Sequence, residues 1–159
     1  MMNIKGVFKD KRGIEGLPMR LIIIVVIAGV VLAAIITMIP KTKGHMEIDY
    51  WETDYGGTTT PGFLVKVSAT GSEEVPGISF TARINITDTD GKAIDGAKVT
   101  ITGAGGAGAG TTDGTGVANV IVDGCTLPAN QDTVYLKVKV TKSGYYDEID
   151  EEGLQLQRV

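Results

Sequence analysis

Hydrophobic and polar residues obey two different rules along this chain, and the change falls at Pro40. From Leu21 to Ile39 there is no charged residue. As a helix rising 1.5 Å per residue, this run of roughly 19 residues spans about 28 Å, close to a bilayer core. About a dozen of its residues are Leu, Ile or Val, and at roughly −0.3 to −0.6 kcal/mol each they favour insertion by several kcal/mol. After Pro40 the period becomes two. "ISFTARINIT" sets Ile78, Phe80, Ala82, Ile84 and Ile86 on one face and Ser79, Thr81, Arg83, Asn85 and Thr87 on the other, which is the pattern of a half-buried strand. "TVYLKVKVT" repeats it with Val134, Leu136, Val138 and Val140 inward, and "AKVTIT" and "FLVKVSA" follow the same rule. With "ANVIV" and the closing "LQLQ", about seven short strands are predicted, a number that suits an antiparallel sandwich. The breaks between them, "TDTDGK", "IDGA", "TTDGTG" and "KSGYY", carry Asp-Gly and Ser-Gly pairs that close tight turns. The class is therefore α+β, a long N-terminal hydrophobic α-helix followed by an antiparallel sandwich.

Charge gives this arrangement a direction. Lys5, Lys9, Lys11, Arg12 and Arg20 precede the apolar run, whereas Lys41 and Lys43 are soon followed by Glu47, Asp49, Glu52 and Asp54. The basic flank stays in the cytoplasm, so the N-terminus is expected inside and the sandwich outside. Residues 41 to 159 hold about ten Lys/Arg against about seventeen Asp/Glu, an acidic balance that repels phosphate backbones and excludes a nucleic-acid partner. Cys125 is the only cysteine in the 159 residues. It can form no internal disulfide and reads as a small buried hydrophobe.

A secretory signal would have a shorter apolar core and a small-x-small cleavage site, but this run ends in "ITMIPKTKG". Ahead of it stand Lys11-Arg12-Gly13, then Ile14, Glu15 and Pro18. This stretch resembles the class III signal of archaeal type IV pilin-like proteins. The resemblance implies cleavage between Gly13 and Ile14 by a prepilin peptidase, survival of the helix, and polymerisation on an assembly platform through packed helices. Glu15 would be the second mature residue rather than the fifth, where bacterial pilins keep a glutamate, and is a candidate subunit contact. Pro18 would fall in the first turn after such a cut, where a missing N–H costs nothing. Gly16, Ala28, Gly29, Ala33 and Ala34 would let neighbouring helices approach closely. The implied organisation is a leader over 1–13, a transmembrane or filament-core helix over 14–40, a linker or first strand over 41–61, and the sandwich over 62–159.

From Ile84 onward, "ITDTDGKAIDGAKVTI", "TTDGTGVANV" and "VKVTKSGYY" resemble a carboxypeptidase-regulatory-like domain, a transthyretin-like sandwich related to immunoglobulin folds. That resemblance covers roughly residues 82 to 150 and rests on turn chemistry, so it implies an Ig-like fold and no activity. "GAGGAGAG", residues 103 to 110, interrupts it and reads as a loose hairpin loop, or else as a small-residue surface that packs on an adjacent subunit.

No catalytic constellation stands out. His45 is the only histidine, and neither a nucleophile elbow nor a P-loop occurs. Asp88, Asp90 and Asp95 with Gly91 echo a calcium loop faintly, but the twelfth-position glutamate is missing and the same residues already explain a turn. No enzyme activity, metal or cofactor is expected. Asn85-Ile86-Thr87 is an N-glycosylation sequon on the outward face of its strand, so Asn85 is a candidate acceptor. The expected role is that of a structural pilin at the cell surface, membrane-anchored before assembly; the alternative is a single-pass anchored Ig-like binding module.

Overall fold

The computed structural model describes residues 12–159, with side chains from residue 18 onward. Residues 1–11, most of the expected leader over 1–13, lie outside the described residues, and so do the side chains of Ile14 and Glu15. The chain divides into two compact units, one ending at Lys41 and one spanning Thr42–Val159.

The first unit is a single helix, α1, Arg12–Met38. It begins ahead of the Gly13–Ile14 bond, so Pro18 lies inside the helix and not in its first turn. Without an N–H there, the carbonyl of Ile14 lacks its usual donor four residues on. From Pro18 to Met38 the helix is long and apolar enough to cross a membrane, and none of that stretch is buried. Its one hydroxyl, on Thr37, donates back to the carbonyl of Ala34 at 2.8 Å, so that group needs no outside partner.

The second unit contains nine strands: β1 Met46–Tyr55, β2 Thr58–Pro61, β3 Leu64–Val67, β4 Val75–Asp88, β5 Lys98–Gly103, β6 Gly106–Thr111, β7 Val117–Leu127, β8 Thr133–Thr141 and β9 Glu148–Arg158. They join in the order β2-β1-β4-β7-β6-β5-β8-β9-β3. Every neighbouring pair is antiparallel except β3 with β9. β7 is shared: it pairs along β4, and at Ala107↔Asp123 it meets β6. The two ends of the sheet approach each other: the Thr53 hydroxyl of β1, next to edge strand β2, donates to the carbonyl of Leu64 on the other edge strand, β3, at 2.6 Å, and the Gly62 N–H, between β2 and β3, donates to that of Trp51 at 2.8 Å. The sheet thus curls almost into a barrel.

The core is what the alternation predicts. Ile78, Phe80, Ala82, Ile84 and Ile86 of β4, Val99 and Ile101 of β5, and Leu136, Val138 and Val140 of β8 are all buried. Val65, Val67, Leu154 and Leu156 belong to the same core, as does Cys125, a small apolar group. Burial raises its thiol pKa, which keeps it protonated and unreactive.

Nine strands replace the expected seven because two of them have no hydrophobic alternation. β2 is the edge segment "TTTP", where Pro is tolerated because one side of the strand is unpaired. β6 is "GAGAGT", so the stretch read as a loose loop is an ordered strand. Its glycines face β7: a Cβ on Gly106 would meet Cys125 Sγ and come within 2.7 Å of the Asp123 carbonyl oxygen. One on Gly108 would strike the carbonyl of Ile121, and one on Gly110 would lie 2.9 Å from that of Asn119. The close packing allowed by small residues is therefore made within the chain. The hairpin from β5 turns through Ala104 and Gly105, both at positive φ, as a two-residue type I′ turn requires.

Arg158 closes the C-terminal end. Its guanidinium donates to the carbonyls of Gly71 (3.0 Å), Glu73 (2.8 Å) and Pro128 (3.3 Å), tying two loops to the last strand.

Candidate functional site

Two features of the chain stand out as functional surfaces, the unburied helix and the outer face of β1, β4 and β7. The helix is described by composition alone. Its Leu, Ile and Val side chains are half or more exposed along the whole length. Moving about a dozen such side chains out of water at roughly 0.3–0.6 kcal/mol each gains several kcal/mol. Such a surface does not persist in water, so lipid or protein covers it.

On the sandwich, a register shift in the β1–β4 ladder between Tyr50 and Glu52 leaves Trp51 as the bulged residue. A bulge re-aims its side chain, and Trp51 is exposed. The Arg83 guanidinium lies 5.4 Å from the centre of its ring and donates to Glu52 Oε1 at 3.1 Å. Cross-strand register then sets Glu52, Arg83 and Asn119 in one row and Asp54, Thr81 and Ile121 in the next. Two shallow cavities of about 210 and 270 Å³ share Asp54 and Thr81 in their walls. The sequence reading counted Arg83 and Thr81 only as outward strand positions. The signal for this face was the odd spacing in "DYWET", where strict alternation fails.

The residues singled out from the sequence do not converge. Gly13 and Ile14 lie in the first turn of α1, and Glu15 follows them. Asn85 faces away from the core, as its buried neighbours Ile84 and Ile86 require, but it is half-buried between β1 and β7. Its side-chain oxygen is buried with no hydrogen-bond partner among the described residues, and Gly116 lies close against it. Asp88 turns inward on its own loop, its Oδ1 accepting from the N–H of Asp90 and of Lys92 at 2.9 Å each. Among the described residues no three His, Cys, Asp or Glu are grouped to hold a metal. His45 stacks on Tyr146 with ring centres 5.1 Å apart. The Tyr50 hydroxyl donates to Asp150 at 2.8 Å. Burial first, and then that carboxylate, push its pKa well above the ordinary tyrosine value.

These observations define an Ig-like β-sandwich carrying an N-terminal apolar helix. Residues 63–151, more than half the chain, match macroglobulin domain MG4, and the chain belongs to that family. The matched stretch contains the one, roughly 82 to 150, that resembles a carboxypeptidase-regulatory-like domain, so the Ig-like architecture stands while the family shown is the macroglobulin one. β1 and β2 precede the matched residues. No curated protein matches the chain.

Proposed function

We propose that this chain is a pilin, a structural subunit of an archaeal type IV-like surface filament, with the helices bundled as the core and the sandwiches outside. The observation that carries this reading is a helix apolar on all sides and buried on none, beside a sandwich whose own core is complete. When such a helix leaves lipid it needs another apolar environment, and identical helices supply one without exposing backbone groups. Addition by a heterologous contact that does not close gives a fibre. The Lys11-Arg12-Gly13 | Ile14 sequence, ahead of the apolar run, supports processing there. In this reading a prepilin peptidase and an assembly platform are the partners, the membrane holds the precursor, and adhesion or surface contact is the use.

The exposed Trp51–Arg83 face favours a second reading, a single-pass anchored Ig-like module that binds a ligand at the cell surface. Mass spectrometry of the mature N-terminus separates the two. A chain beginning at Ile14 and recovered from sheared filaments is expected for the pilin. One beginning at Met1 or Met2 and found only in membranes would establish the anchored module instead.

A further inference from the structure

Between β8 and β9 the turn "KSGYY" walls an open cavity of about 520 Å³, lined by Lys43, Thr141, Lys142, Ser143, Tyr145 and Asp147. We propose that this cavity binds the phosphate of an anionic lipid headgroup. The proposal rests on the helix lying in a membrane, a premise common to both functional readings.

Charge is the first reason. In a region with about seventeen acidic and ten basic residues, this cavity carries two ammonium groups and one carboxylate. That carboxylate is already engaged, because Asp147 Oδ2 lies 3.2 Å from Lys139 Nζ. The hydroxyls of Thr141, Ser143 and Tyr145 add neutral donors suited to phosphate oxygens. Lys142 Nζ rests over Gly96, where an added Cβ would come within 2.9 Å of it. The bare backbone there leaves the ammonium its place.

Position is the second. The Gly44 N–H donates to the carbonyl of Gly144 at 3.0 Å, and the Tyr146 N–H donates to that of Gly44 at 2.9 Å. The cavity wall is thus fastened to Gly44, while α1 ends at Met38. The residues between them reach at most about 20 Å when fully extended. Chain length alone therefore holds Gly44 within about 20 Å of Met38, within reach of the headgroups of a bilayer that the helix spans. The surroundings fit that layer, since tyrosines and lysines collect at membrane interfaces. Tyr146 is exposed, and Lys43 Nζ sits 5.6 Å from its ring centre.

The test uses the full chain in nanodiscs of phosphatidylcholine, with or without phosphatidylglycerol. Lysine acetylation rates are read site by site by mass spectrometry. Lys43 and Lys142 are expected to react roughly fivefold more slowly in the anionic discs, with Lys66 and Lys98 unchanged. Lys142→Gln should return Lys43 to its rate in neutral discs, and Asp147→Asn should deepen the protection. Equal protection of Lys41, which is nearer the helix but does not line the cavity, would reduce the effect to diffuse attraction and overturn the site. Protection by inorganic phosphate in neutral discs, with none from phosphatidylglycerol, would make it a soluble-phosphate site and overturn the lipid assignment. Absence of protection in a disc-bound chain removes the site alone, whereas failure of the chain to enter discs removes the membrane premise as well. The mature N-terminus, mapped on the same digests, tests the filament reading separately.

Discussion

Small residues cluster in two regions of this chain, and they meet different surroundings. On β6, Gly106, Gly108 and Gly110 are pressed against the backbone of β7 with no room for a methyl group. On α1, Gly29 has nothing within 4 Å of where a Cβ would stand, and Ala28, Ala33 and Ala34 are exposed beside it. In the sandwich, the side chains given up are matched by a strand brought closer, so the core is finished within one molecule. In the helix the same composition meets no partner among the described residues. The contrast teaches that the two units reach stability by different routes, one by intramolecular packing and the other only by insertion or assembly.

The most damaging way to test this contrast is to fill both sites. Gly108→Val drives two methyl groups into the backbone of Ile121 and must push β6 away from β7. That junction rests on a single register pair, so we expect a loss of about 4 kcal/mol or more. Thermal unfolding followed by circular dichroism should show the sandwich largely unfolded. Gly29→Val should leave that transition within about 0.5 kcal/mol of wild type, while lowering the yield of sheared filaments if helices pack there. A helix variant that melted the sandwich would show that the two units are not independent.

A charge in the helix sharpens the comparison from the other side. Ile27→Asp replaces a residue worth roughly −0.3 to −0.6 kcal/mol with one costing about 2.5–3.5 kcal/mol at the bilayer centre. Against a total of only several kcal/mol, integration measured by alkaline extraction should fall sharply. The sandwich transition should not move.

Much of this division was legible in the residue pattern. The helix needed only an unbroken apolar run, and the inward residues of β4, β5 and β8 needed only alternation. What stayed hidden depends on which strands lie side by side. "GAGAGT" has neither strand propensity nor alternation, and its order comes from full-length pairing with β5 and close contact with β7. Trp51 and Glu52 both face outward because a bulge shifts the register by one residue, and the odd spacing in "DYWET" is its only trace in the sequence. Lys43 and Lys142 are about a hundred positions apart, and only the bonds of Gly44 to the β8–β9 turn bring them to one cavity. Arg158, near the end of the chain, gave no sign of holding the loops at Gly71 and Pro128. α1 runs from Arg12 across the Gly13–Ile14 bond, so no helix boundary marks the expected cleavage position.

The smallest effect expected is a dependence on pH, and it too divides the regions. Between Leu21 and Ile39 the helix has nothing to titrate, so its insertion should not vary with acidity. In the sandwich, the Asp113 carboxylate organises the turn into β7. It accepts from the Thr115 hydroxyl at 2.6 Å and from the N–H groups of Thr115 at 2.9 Å and Val117 at 3.2 Å. Those bonds, the Thr115 hydroxyl foremost, hold its pKa below the ordinary carboxylate value. A group depressed in the folded state contributes stability above its unfolded pKa, near 3.9 for an aspartate, and loses it as pH falls through the folded value. The wild-type unfolding midpoint should therefore drop below about pH 4 by more than that of Asp113→Asn, whose amide oxygen keeps the acceptor but not the charge. Because the side chain is in solvent, the difference should be slight and should shrink further in high salt. Parallel midpoints for the two proteins from pH 6 to pH 2 would mean that the turn draws on the oxygen alone. The charge would then contribute nothing to the fold.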